Sequence, residues 1–146
     1  MEASAVALLL SPPVLALLGL CIGSFLNVVI HRLPLMLERG WRLDSAEMLG
    51  VKIDEPATIS LSKPRSRCPS CGHLIAWHEN IPVIGWLRLG GKCAACKTKI
   101  SVRYPIVEIL TAVLFAAVGW RFGATPVALL WCGFVAVLVA LAGIDW

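Results

Sequence analysis

Three apolar windows, a basic stretch between the first two, and two C-x-x-C pairs inside that stretch predict a polytopic α-helical membrane protein. It should carry three transmembrane helices and a small four-cysteine module on one face. Apolar residues make up 58% of the 146 residues, and the mean hydropathy of +0.81 is too high for a soluble globule. The windows run roughly from Ala5 to Ile30, Ile106 to Trp120 and Val127 to Ile144. A helix rises ~1.5 Å per residue and the hydrocarbon core is ~30 Å thick, so the first and third are long enough and the second is short. Tyr104 and Trp120 bracket that second window as interfacial aromatics would.

In the first window Pro12 and Pro13 interrupt the apolar run. Proline is tolerated best in a first helical turn, so the regular helix should begin there. Gly19 and Gly23 form a small-x-x-x-small face suited to close helix packing. Ser24 and Asn27 fall near the other end. A buried amide costs free energy unless it finds partners, so Asn27 either bonds a neighbouring helix or faces a polar cavity. With no basic residue before it, starting at Met1-Glu2, and too long for a signal h-region, this span should stay in the mature protein. His31-Arg32-Leu33-Pro34 should end the helix, with the basic pair at the headgroups. From Leu35 to Lys63 no period is strong enough to assign.

Twelve of the thirteen Lys and Arg lie between His31 and Tyr104, and the other is Arg121. The positive-inside rule places this stretch in the cytoplasm and the N-terminus outside. Topology alone accounts for the net charge of +4, so no nucleic-acid partner is called for.

Cys68-Pro69-Ser70-Cys71 and Cys93-Ala94-Ala95-Cys96 are separated by 21 residues, the arrangement of two knuckles that aim four sulfurs at one tetrahedral ion. Gly72 and Gly90-Gly91 sit where the backbone must turn. Two disulfides are the competing reading, and the compartment decides between them. Cytoplasmic thiols stay reduced, which favours structural zinc. With four cysteines filling the site, His73 and His78 are expected to be surface or supporting residues. Trp77, Ile81, Val83, Ile84, Trp86 and Leu87 make a small apolar cluster. That is too little core for independent folding, so metal must supply much of the free energy, ~10–16 kcal/mol in small zinc modules.

Arg103-Tyr104-Pro105 should open the second span, with Pro105 at the first helical position and Glu108 in the first turn. There the helix dipole favours a carboxylate, and a polar groove near the cytoplasmic surface is the functional alternative. Thr125-Pro126 reads as N-cap and N1 of the third span, which carries one ionisable residue, Asp145. The chain stops at Trp146 inside an apolar run without flanking charge, as a truncated sequence would. Cys21 and Cys132 are expected to be small packing residues. The resulting division is a first transmembrane helix over 1–30, a cytoplasmic zinc-binding domain over 31–104, and the second and third helices over 105–146.

Several motifs in this order resemble the bacterial prepilin peptidases, bifunctional leader peptidase/N-methyltransferases of the inner membrane. They are Gly23-Ser24-Phe25-Leu26-Asn27-Val28-Val29, His31-Arg32-Leu33-Pro34, Ser66-Arg67-Cys68-Pro69, Cys71-Gly72, Trp77 and Asn80-Ile81-Pro82. Cys93 to Cys96, Ile100-Ser101, Arg103-Tyr104-Pro105 and Val107-Glu108 complete the series. The resemblance implies a membrane aspartic protease of the Gly-x-Gly-Asp type, whose first aspartate is matched by Asp145 in Ala142-Gly143-Ile144-Asp145 and whose second lies in a later helix. Residues 105–146 then begin the peptidase domain. It also implies prepilin or pseudopilin substrates with a basic leader, and S-adenosylmethionine as the donor for methylation of the new N-terminus. Asn27 and Glu108 are candidates for a substrate groove. The rival reading is a non-enzymatic, membrane-anchored zinc module that recruits a partner.

Overall fold

The computed structural model describes residues 2–53 and 58–146. Met1 and four residues of the unassigned stretch, 54–57, lie outside the described residues. In chain order the helices are α1 (Glu2–Leu9), α2 (Pro12–Leu49), α3 (Ile84–Arg88), α4 (Arg103–Phe122) and α5 (Pro126–Asp145). Of these, α2, α4 and α5 are long and apolar enough to cross a membrane, so the chain is a polytopic α-helical membrane protein.

Ser11 separates α1 from α2 in an extended conformation, its hydroxyl donating to Leu8 O at 2.6 Å, and Pro12 starts α2 as expected. The expected end is corrected. His31-Arg32-Leu33-Pro34 does not stop the helix, which passes through Pro34 and continues to Leu49. An internal proline removes one donor from the ladder, and here that loss is tolerated. Termination comes at Gly50, at φ 66°, where Gly50 N–H donates to Glu47 O (3.2 Å) and Val51 N–H to Ala46 O (3.0 Å), a Schellman closure.

The core is a seam of α2 and α4 covered by α5. A Cβ on Gly19 would lie 2.7 Å from the Ala112 Cα, and one on Gly23 would lie 2.7 Å from the Glu108 Cα, so the two backbones approach as only glycine permits. One apolar cluster holds Leu10, Leu15, Phe115, Val118, Ala128 and Cys132, and the other holds Leu26, Ile30, Val107 and Val139. Cys132 therefore packs in the core as expected. Cys21 does not, because it sits about 200° around α2 from the glycine at position 19 and is exposed. Gly143 of α5 packs on the Ile30 side chain, closing the third side of the bundle.

At the start of α4 a second correction applies. Arg103 opens the helix, so Pro105 is its third residue and Glu108 its sixth, beyond the first turn. Thr125 and Pro126 take the N-cap and first helical positions of α5, but the Thr125 hydroxyl donates back to Phe122 O at 3.0 Å and does not cap the helix.

Candidate metal centre and the helix seam beside it

The two C-x-x-C pairs fold by one local rule used twice. Cys68 N–H donates to His73 O and Gly72 N–H to Cys68 O; Cys93 N–H donates to Thr98 O and Lys97 N–H to Cys93 O. Isolated antiparallel bridges, Arg67 to Leu74 and Lys92 to Lys99, close each loop at the same offset. The residue after the second cysteine has positive φ in both, 73° at Gly72 and 60° at Lys97. Glycine meets that requirement freely and lysine does not.

These knuckles bring the ligand atoms of Cys68, Cys71, Cys93 and Cys96 within 4.8 Å of one another. Cys68 Sγ lies 3.7 Å from Cys96 Sγ, and Cys71 Sγ lies 3.9 Å from Cys93 Sγ. A tetrahedron of sulfurs ~2.3 Å from a central ion has edges of about 3.8 Å, so the four residues fit one metal ion. All four are free thiols rather than disulfides. Their acidities diverge. The Thr98 hydroxyl, with Thr98's backbone, pulls Cys96 down to about 6. The backbone amides of Cys71 and Ser70 pull Cys68 down. Cys71, although the His73 backbone lowers it, is pushed up to about 11 by its neighbours, Cys96 first. Four crowded sulfurs cannot all ionise unaided, and a divalent cation at their centre would remove that conflict.

Neither histidine joins the cluster. The His73 ring meets Glu79 Oε2 at 3.2 Å, and Glu79 also accepts the Ala76 N–H at 2.8 Å. The Ala76 bond foremost, and then His73, hold the Glu79 carboxyl below its ordinary range. His78 stacks edge-on against Trp77. Under the second knuckle, Trp86 Nε1 donates to Ile100 O at 3.2 Å while Ile100 N–H donates to Gly91 O at 2.7 Å. This ties α3 to the second knuckle.

Among the described residues, two side chains of the helices bond to this module. Arg32, read from sequence as a headgroup charge, instead clamps the loop before the first knuckle, donating to Ser60 O (2.8 Å) and Pro64 O (2.7 Å). The other link is Glu108. It is 7% exposed in the α2/α4 seam, and its Oε2 accepts the Val83 N–H at 2.7 Å. Val83 has φ 60° and ψ −50°, and Ile84 N–H donates to Pro82 O at 2.6 Å, so Val83 is the centre of a γ-turn. Positive φ is costly for a β-branched residue, and the buried carboxylate helps fix that turn. The helix-dipole explanation of Glu108 therefore does not hold.

Asn27 is 8% exposed in the same seam and its Nδ2 donates to Tyr104 O at 3.1 Å, the neighbouring-helix bond anticipated from sequence. Asn27 and Glu108 are thus on the same helix seam. Asp145 is not buried with them. It is exposed at the end of α5, beside Trp146, whose ring stacks under the Arg103 guanidinium at 5.3 Å. Sequence reasoning did not find Val83, Arg32 or the Arg103–Trp146 stack. The one usable signal was a glutamate set in an otherwise apolar span.

Residues 17–122 match the family model described as Bacterial Peptidase A24 N-terminal domain. Among curated relatives, the "Prepilin leader peptidase/N-methyltransferase" of Neisseria gonorrhoeae is 48% identical over 135 residues, 91% of this chain and 47% of that protein. Proteins of the same name from Pseudomonas putida and Pseudomonas aeruginosa are 49% and 54% identical, over 88% and 75% of this chain and 44% and 38% of theirs. The chain therefore spans less than half the length of these relatives. No solved structure matches it. With the family model covering most of α2, the four cysteines and all of α4, the chain belongs to the bacterial peptidase A24 N-terminal domain family.

Proposed function

We propose that this chain is the N-terminal part of a membrane aspartic endopeptidase that removes the leader of type IV prepilins or type II secretion pseudopilins, and then N-methylates the new N-terminus. The observation that carries the reading is the identity to relatives named for both activities, spread over 88–91% of the chain in two of them. The basic residues between His31 and Tyr104 favour an inner-membrane protein with residues 31–104 on the cytoplasmic side, where zinc in the Cys68, Cys71, Cys93 and Cys96 site would be structural.

On this reading Asp145 is one of two catalytic carboxylates. Two close carboxyls share a proton: one activates the water that attacks the scissile carbonyl, and the other protonates the departing amine. Asp145 is the only acidic residue in α5, and the only one in α4 is Glu108, whose carboxylate already holds Val83; the partner carboxylate is expected outside these 146 residues. Asn27 and Glu108 would border the groove that receives the substrate helix, and the bilayer lipid would flank it. The methyl donor would be S-adenosylmethionine, which supplies an electrophilic methyl group; no residue of this chain is assigned to it.

The experiment places these residues in the longer protein and follows the mobility shift of a co-expressed prepilin. Asp145→Asn nearly preserves shape while removing the ionisable group, so processing should fall by orders of magnitude with metal content unchanged. Normal processing by that variant would overturn the catalytic assignment.

A further inference from the structure

We infer that the metal module has a membrane-embedded edge, formed by Ile84 and Leu87 of α3, that sits in the boundary between lipid headgroups and acyl chains beside α4. The inference goes beyond the peptidase reading and needs only that α4 spans the bilayer.

Depth is the main argument. α4 has 20 residues and is ~30 Å long, about the thickness of the hydrocarbon core, so it has no length to spare outside the membrane. Arg103 at one end and Arg121 near the other, with the exposed Tyr104 and Trp120 beside them, mark the two interfaces. Glu108 lies five residues beyond Arg103, ~7.5 Å further along the axis and therefore inside the headgroup level. Its carboxylate accepts the Val83 N–H at 2.7 Å, and because helical side chains lean toward the N-terminus this holds the start of α3 between the level of Glu108 and that of Arg103, at the boundary of headgroups and acyl chains.

The side chains there suit that position. Gly85 of α3 is buried against the Glu79 backbone, and Trp86 turns toward Gly91 and Ile100, so these two form the inner face. Ile84 and Leu87, three residues apart and on one face, are left 54% and 62% exposed. Arg88 follows, also exposed, where its apolar stem can lie along the acyl boundary and its guanidinium can reach lipid phosphates. An apolar pair flanked by a cation, anchored at this depth, is the chemistry of an interfacial segment, and on α4 the residue after Glu108, Ile109, is itself 47% exposed.

The test uses the zinc-loaded chain, unmodified, in nanodiscs of phosphatidylethanolamine and phosphatidylglycerol. Hydroxyl-radical labelling is read residue by residue, with Leu49 (77% exposed, at the far end of α2) as the water-facing control and Ile109 as the lipid-facing one. In parallel, lipid bearing a diazirine on its acyl chain is photolysed. Ile84 and Leu87 should label at the rate of Ile109, at least tenfold below Leu49, and should carry acyl adducts. Labelling at the rate of Leu49 would overturn the inference. Protection without acyl adducts would assign the edge to a protein contact and overturn it equally.

Discussion

Replacing Gly23 with alanine tests the seam on which everything else is mounted. The added Cβ would lie 2.7 Å from the Glu108 Cα and 3.1 Å from Val107 O, both backbone atoms with no rotamer to move aside. Ordinary carbon contacts are ~3.5–4.0 Å, so α2 and α4 must separate by about 1 Å. One turn away, the Asn27 Nδ2 to Tyr104 O bond is 3.1 Å long, and the same displacement takes it past hydrogen-bonding range. Overpacking costs about 1–3 kcal/mol and the lost bond about 1 kcal/mol, while alanine's helix propensity returns about 1 kcal/mol. The expected net loss is about 1–3 kcal/mol. Gly133→Ala is the internal control, since nothing lies within 4 Å of its added Cβ and only the propensity gain applies. Unfolding both variants by sodium dodecyl sulfate titration in mixed micelles, followed by far-ultraviolet circular dichroism, gives the difference directly. Equal midpoints for the two variants would refute the close-packed seam.

Metal analysis of the chain purified in detergent under reducing conditions should find about one zinc per molecule, with sulfur ligands ~2.3 Å away by X-ray absorption, because the four Sγ atoms already have the spacing of one tetrahedron. Full protease resistance of residues 58–102 after zinc removal would contradict a structural role. The knuckles predict opposite effects at matched positions: Lys97→Gly should stabilise the zinc-loaded module by about 0.5–1 kcal/mol, and Gly72→Ala should destabilise it by about 1 kcal/mol, because both positions have positive φ. Thermal midpoints at fixed zinc decide it, and a shift of the same sign in both would argue against the strain. Glu79 is held below its ordinary value near 4.5, so its contribution is fully present above about pH 4.5 and is lost as pH falls through the lower folded value. The stability deficit of Glu79→Gln should therefore be constant near neutrality and begin to close only as pH falls below about 4.5. A deficit that widens there would reverse the sign of the assignment.

The membrane spans, the four-cysteine cluster and the Gly19/Gly23 face were legible because each rests on local chemistry: hydropathy, ligand spacing and the absence of a side chain. The extent of α2 was not. Pro34 was taken as the stop, yet the residue with the terminating conformation was Gly50, at φ 66°, sixteen positions later. Proline weakens a helix locally, whereas a left-handed glycine with its Schellman bonds ends it. Glu108 was placed two positions too close to the helix start because Pro105 was assigned the first helical position and Arg103 holds it. Its partner could not be read at all, since a bond from Val83 N–H to a side chain 25 residues away depends on tertiary folding. Arg32 was misread for a similar reason: a guanidinium beside a membrane can serve lipid phosphates or backbone carbonyls, and only the fold shows Ser60 and Pro64 within reach.

The unbroken run of α2 past Pro34 makes the angular phase of its distal end a property of the bilayer segment. Each residue advances the helix by 100° and ~1.5 Å, so inserting one residue between Leu35 and Gly40 would swing Trp41, Ser45 and Met48 by about 100° and push them outward by ~1.5 Å. Gly19, Gly23 and Arg32 itself lie before the insertion and would keep their phase, whereas the Ser60 and Pro64 carbonyls that Arg32 holds lie after it. Such an insertion separates two properties that ordinary substitutions leave coupled: whether the distal segment is present, and which way it points. In a flexible tether those fifteen residues would forgive it; in a rigid shaft, any surface that must engage the distal end loses its aim.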